Sequence, residues 1–154
     1  MTTSDEEQFQ RDVHLYLRAE KIIVGQCLWK RKQHPDYREV LKIIECPEMP
    51  ELNGELRMTA HLSRLPQKFG FAILLGSHRI LSLDVDPGRA HFNVKTLVSI
   101  TSTHWQSFPE YQAVEDEREL SHHEWLLEFA RRSNMKLDFA YRTPPHEPPQ
   151  LMLI

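Results

Sequence analysis

Two apolar runs, residues 71–75 (FAILL) and 79–83 (RILSL), stand on either side of Gly76-Ser77-His78. No other feature of the chain restricts its fold as tightly. A Gly-Ser pair between apolar runs marks a two-residue hairpin loop, with the glycine supplying positive φ at the first loop position. The two runs are therefore expected as antiparallel neighbours in a sheet.

The rest of the chain can be read outward from that hairpin. Alternation with a period of two recurs over residues 22–30, 39–46, 54–64, 68–75 and 79–86, with proline, glycine and asparagine between the runs. Asp86-Pro87-Gly88 closes the last of these in a turn. Two shorter extended pieces follow, around 91–94 and 99–106, then a looser segment over 107–120. Residues 136–142 (KLDFAYR) alternate again as a final strand.

Two segments have a helical period instead. In the first, Ser4 and Glu7 form a capping box, and Phe9, Val13, Tyr16 and Leu17 recur on one face, giving a helix over 5–21. In the second, Ser121 and Glu124 form another capping box before the stripe Trp125, Leu126, Phe129 and Ala130, and Asn134 supplies a stop, giving a helix over 122–133. Residues 143–154 form a proline-rich extended tail. The order helix, strands, helix, strand predicts an α+β fold: a curved, mainly antiparallel sheet packed against an N-terminal and a C-terminal helix. With 154 residues, 40% of them apolar and 27% charged, the chain suits a single domain over 1–154 with its own core.

Charge and cysteine usage narrow the function classes. A net charge of −3 argues against a bulk electrostatic grip on nucleic acid but leaves room for a small basic site. The dense basic stretches are Trp29-Lys30-Arg31-Lys32 and Arg131-Arg132, which read as a solvated edge strand and a helix C-terminus. Cys27 and Cys46 sit in apolar strand patterns with no CxxC spacing, so reduced, partly buried thiols are expected. The acidic start MTTSDEEQ is no signal peptide, and no apolar run approaches the length of a membrane span. A cytoplasmic protein without a membrane partner is the expectation.

The polar residues of the later strands carry the candidate site. Side chains alternate along a strand, so Leu81, Leu83 and Val85 face one way and Ser82, Asp84 and Asp86 the other. The same rule pairs His91 with Asn93, and His104 with Gln106, while Trp105 turns to the core. If these pieces neighbour one another in one sheet, the polar pairs converge on one patch. Two imidazoles can serve as general base and general acid in metal-independent RNA cleavage, with Arg79 or Arg89 offsetting charge at phosphorus. The histidines with Asp84 or Asp86 could instead hold a divalent metal, the patch could simply bind, or the strands could be ordinary solvated faces; the residues alone leave all four open. His122 and His123 are expected at the surface, because adjacent helical residues do not share a face. His14, His34, His61, His78 and His146 are scattered and are given no role.

The runs RILSLDVDPGRAHFNV, STHWQSFPEYQAV and LLEFARRSNM resemble a family of small uncharacterised bacterial and phage proteins. The shared core runs from an arginine and an aspartate strand through a G-x-P-H-x-N-P turn to H-x-H-x-Y and a closing helix. The likeness covers residues 55–135 approximately. It implies a link to mobile elements and to toxin or defence loci, and it marks Arg79, Asp84, His91, Asn93 and His104. This chain departs from the pattern with Val94 for a proline, Gln106 for the second histidine and Phe108 for a tyrosine. Glutamine at 106 weakens a metal site most.

Two functions follow as expectations. One is an RNA-cleaving toxin with His91, His104 and Arg79 catalytic and Asn93, Gln106 and Asp84 holding substrate, using neither metal nor cofactor. The other is a non-catalytic protein-binding module, a phage-encoded inhibitor or antitoxin-like partner, docking through the apolar tail end at 151–154 (LMLI).

Overall fold

Helix α1 (Thr3–Arg18) starts two residues before the expected capping box would allow. Thr2 is the cap: its hydroxyl accepts from the Asp5 N–H at 3.2 Å, and the Asp5 carboxylate accepts from the Thr2 N–H at 3.1 Å. Ser4 is inside the helix instead, and Asp5 and Glu6 meet the positive end of its dipole. The helix stops at Arg18, short of the expected residue 21, because Lys21 folds back on it. The buried Lys21 ammonium donates to the carbonyls of Tyr16, Leu17 and Ala19, satisfying oxygens that the helix end leaves open. Burial pushes the Lys21 amine down to about 8.

The computed structural model describes all residues but 1, 65–66, 88–89, 94–97, 102 and 147–154, and of 90–93 and 98–101 it describes the backbone only. After α1 come β1 (Lys21–Gln26), β2 (Lys30–Arg31), β3 (Tyr37–Ile44), β4 (Gly54–His61), β5 (Phe69–Leu75) and β6 (His78–Val85). They are followed by β7 (Ala90–Asn93), β8 (Val98–Thr101), β9 (His104–Ser107), β10 (Val114–Glu115), helix α2 (His122–Arg132) and β11 (Met135–Ala140). The fold is α+β. Its main sheet has seven strands in the order β10-β9-β6-β5-β4-β3-β2, is antiparallel throughout and does not close on itself.

The hairpin that the sequence announces joins β5 to β6, with Leu75 opposite His78 and Gly76 at φ 60°. Two expected strands are each divided. The run 22–30 becomes β1, which carries Gly25 at φ 99°, and the short β2. The run 99–106 becomes β8, which pairs only with β7 in a separate hairpin, and β9, which joins the main sheet beside β6. β1 lies parallel to β11, a pairing between chain ends that no local pattern announces.

The core fills one face of the main sheet. Leu56, Met58, Phe71, Ile73, Leu83 and Trp105 are buried there against α1 and α2. Phe129 of α2 stacks between Phe71 and Trp105, with ring centroids 5.8 and 5.9 Å away. Second in the chain's capping boxes, Ser121 with Glu124 starts α2 where the sequence places it, and Asn134, at φ 51°, ends it. Cys27 and Cys46 are both buried and unbridged. Among the described residues no helix is long and apolar enough to cross a membrane.

Tyr16 ties α1 to the start of β4 by lying directly over Gly54, where a β-carbon would overlap its hydroxyl and ring. Tyr16 is wholly buried and cannot swing out to solvent. Gly54→Ala is therefore expected to lower stability by about 1–3 kcal/mol through overpacking, and a Gly54→Ala/Tyr16→Phe double variant to recover part of it. Urea midpoints of the three proteins check this; a Gly54→Ala midpoint equal to wild type would show that the contact does not hold the helix.

Candidate functional site

Residues directly opposite one another in an antiparallel ladder share a face of the sheet. Trp105, Leu83, Phe71 and Met58 are opposite in sequence across β9, β6, β5 and β4, and all four are buried on the helix side. The rows flanking them must face away. One flanking row is His104, Asp84, Gly70 and Thr59; the other is Gln106, Ser82, Ala72 and Arg57. The structure thus brings His104, Asp84 and Gln106 together on the outer face, as the alternation predicts.

Trp105 is what holds β9 in this register. Its indole N–H donates to Asp116 at 3.0 Å, its ring stacks on Phe129, and the Arg132 guanidinium lies 3.9 Å over it. Asp116 is fixed in turn by two bonds from Arg118, of 2.9 and 2.7 Å. The Arg118 guanidinium holds the Asp116 carboxyl far below the usual carboxylate range, assisted by the indole N–H and opposed by burial.

On the outer face His104 Nε2 lies 3.5 Å from Asp84 Oδ2, and both side chains are partly open to solvent, 28% and 41% exposed. Beside them Asp84, Arg79, Arg57 and Thr59 line a hollow of about 30 Å³ over Gly70. That is room for about two water molecules, so the site is an open surface with a dimple rather than a pocket. The dimple exists because residue 70 has no side chain: a β-carbon there would lie 3.1 Å from Thr59 Oγ1 and 3.3 Å from Asp84 Oδ1.

Arg79 reaches this face only through a bulge. Strict alternation would put it on the core side with Leu81 and Leu83. The register slips between the pairs Ile73–Leu81 and Leu74–Arg79, leaving Ile80 as the extra residue, and Ile80 and Leu81 are both buried. The bulge turns Arg79 outward beside Asp84.

Gln106 directs its amide Nε2 to the Tyr111 carbonyl at 2.8 Å, bracing the turn that follows β9. Asp86 is buried, lies 3.4 Å from Arg64 and receives no place on the outer surface; its backbone N–H is bonded to Thr103. β7, which carries His91 and Asn93, pairs with β8 and not with the main sheet, and the side chains of His91 and Asn93 lie outside the described residues. So do Arg89 and the tail end 151–154. Among the described residues, no three of His, Cys, Asp and Glu are grouped so as to hold a metal ion.

Sequence reasoning missed Arg57 and Thr59. They become neighbours of Asp84 only through the pairing of β4 with β5 and β5 with β6. Glu39, one strand further, approaches Arg57 Nε at 3.7 Å and Lys32 at 2.9 Å, extending the charged row to the sheet edge.

The structure corrects the reading of His122. It is buried, 6% exposed, while His123 is at the surface. Its place on the stripe with Trp125, Leu126 and Phe129 faces it into the sheet, where Phe69 and Phe71 lie 4.8 and 5.0 Å away, ring to ring. That spacing was the available signal. His122 Nδ1 shares a hydrogen bond of 2.6 Å with the Tyr141 hydroxyl, and burial pushes its pKa down to about 3. An unfolded chain takes up this proton near its ordinary value of 6.5, the folded one only near 3. The unfolded state therefore binds more protons in between, and stability falls as pH drops through that window, by at most about 1.4 kcal/mol per pH unit. His122→Phe should flatten this acid limb. Urea midpoints at pH 7 and pH 5 test it: an unchanged difference between the two pH values in the variant would remove His122 as the cause.

Compared with protein-family models, curated proteins and solved structures, the chain matches none.

Proposed function

We propose that the outer face of the sheet cleaves RNA without a metal, with His104 as a proton-transfer group. The observation that supports this reading most is the His104–Asp84 pair at 3.5 Å, set beside Arg79 and Arg57 on an open surface. A carboxylate at that distance can hold the imidazole in one orientation, as a general base requires. In this scheme His104 removes the proton of a ribose 2′-hydroxyl. The 2′-oxygen bonds to the adjacent phosphorus, the bond from phosphorus to the 5′-oxygen breaks, and a second acid protonates that leaving oxygen. His91 is the second acid of this reading. The products are a 2′,3′-cyclic phosphate and a free 5′-hydroxyl. Arg79 and Arg57 stabilise the negative charge that builds on phosphorus, and Asp84 orients the imidazole. Asn93 positions substrate in this reading, as the sequence expects, while the Gln106 amide expected beside it braces the turn after β9. As the resemblance implies, such an activity fits a toxin carried by a mobile element or phage.

Purified protein incubated with single-stranded RNA in EDTA tests this. Cleavage is expected to yield cyclic-phosphate ends, and His104→Ala and His91→Ala should each lower its rate by about 10²–10⁴-fold, the range of a lost acid–base group. Asp84→Asn should lower it less. Intact RNA across pH 5–8, or a rate unchanged by His104→Ala, would rule the reading out.

A further inference from the structure

The basic stretch at residues 30–32 reads in sequence as an edge strand and nothing more. In the structure it belongs to a groove. β1 and β3 touch at the bridge Ile22–Glu45, and the chain returns to β3 at the pair Lys30–Glu39. From Ile22 to Lys30 is eight residues; from Glu45 back to Glu39 is six. The longer path must bow away from β3; it contains Gly25, whose φ of 99° suits glycine. The gap between the two paths is a groove of about 440 Å³.

Lys30, Arg31, Lys32 and Lys42 line this groove against one carboxylate, Glu39. Edge-strand cations commonly guard against strand addition, which accounts for Lys30 and Arg31. It does not account for Lys42, which comes from inside the sheet and holds its ammonium over Gly25, 2.9 Å from where a β-carbon would sit. Among the described residues no carboxylate lies within ion-pair distance of Lys30, Arg31 or Lys42; Glu39 is taken up by Lys32 and Arg57. In a chain of net charge −3, such a local excess of unneutralised cations is a place where an anionic ligand would be attracted.

The groove continues into a second one of about 500 Å³, sharing Lys32 and Gln33 and ending on His34 and Tyr37. The Tyr37 ring is part-exposed and held edge-on by the His34 and His61 rings at 5.4 and 4.8 Å. A cationic track that ends on a braced aromatic ring is the arrangement by which proteins hold single-stranded nucleic acid: phosphates on the cations, a base on the ring. An acidic peptide would use the cations and leave the ring idle.

We infer that this edge groove binds the backbone of single-stranded RNA, with Lys30, Arg31 and Lys42 on phosphates and a base stacked on Tyr37. The inference rests on the RNA reading above and supplies its binding track. Glu39 pairs with Lys32 of the groove and approaches Arg57 of the dimple, so the outer rim of the groove adjoins the dimple, while Lys42, opposite the buried Leu56, enters from the other side of the sheet. From β3 to β9 is four strand spacings, about 19 Å at ~4.8 Å each, a span that a few nucleotides cover.

A fluorescein-labelled 2′-O-methyl RNA 12-mer separates binding from cleavage, because it lacks the attacking hydroxyl. Its anisotropy with the full-length protein should report binding that weakens as salt rises. Lys30→Glu/Arg31→Glu is expected to weaken it at least tenfold and to flatten the salt dependence. Tyr37→Leu should weaken it about fivefold or more with little change in that slope. Circular dichroism confirms that each variant folds. No binding at 50 mM salt, binding indifferent to the double reversal, or a glutamate-rich peptide competing as well as RNA would each overturn the groove assignment. Groove-dependent binding together with unmodified RNA left intact would sink the nuclease reading and leave the groove standing. Cleavage that survives the double reversal with unchanged binding would do the opposite.

Discussion

The register of β9 depends on one side chain. Trp105 is clamped by Phe129 on one side, by Arg132 on the other and by Asp116 at its indole N–H. The strand is only four residues long, too short for its ladder alone to exclude a slip. A slip of one residue would drive His104 or Gln106 into the apolar layer and expose an indole, and burial of an indole outweighs any gain on the outer face. His104 and Gln106 on that face are placed by a core contact on the opposite one. The same clamp explains why Asp116 and Arg118 matter in a segment with little regular structure: their bidentate pair keeps the acceptor for the indole in position.

Two other polar groups in the interior show how the fold handles buried charge. Lys21 keeps its ammonium by spending it on helix-end carbonyls, so one side chain both ends α1 and opens β1. His122 takes the opposite course: it is enclosed by aromatic rings, bonds a tyrosine hydroxyl and stays neutral. Its other nitrogen, Nε2, has no hydrogen-bond partner among the described residues. Imidazole there costs more than a phenyl group would in transfer terms, and what it returns is the bond to Tyr141, which docks the chain after β11 onto α2.

Sequence periodicity reached the elements it governs locally. The β5–β6 hairpin, the Ser121 cap and the buried Trp105 are each written in a handful of adjacent residues. What lay beyond it was set by pairing between distant segments. Nothing near Arg57 or Thr59 announces that they flank Asp84, because the information is the register of β4 on β5 and of β5 on β6. Alternation alone assigns Arg79 to the core, and only the bulge at Ile80 moves it to the site. The division of residues 99–106 into β8 and β9 separated His91 from the sheet that carries His104, so the convergence of three polar pairs reduces, on the main sheet, to two. His122 was misplaced for a different reason: its charge-bearing ring was weighed above its position on an apolar stripe.

The distribution of charge then follows from the same geometry. A chain of net charge −3 cannot draw a polyanion to its whole surface, so any attraction must come from places where cations are gathered and left unneutralised. Strand pairing and the bulge at Ile80 bring Arg57 and Arg79 around a glycine dimple, and Lys30, Arg31 and Lys42 line the groove between the β1–β2 path and β3. At Gly70 the absent side chain leaves room for Thr59 and Asp84 to approach, and at Gly25 for the Lys42 ammonium. Glu39 lies between the groove and the dimple and pairs with one cation of each, Lys32 at 2.9 Å and Arg57 at 3.7 Å, so a single carboxylate borders both basic places.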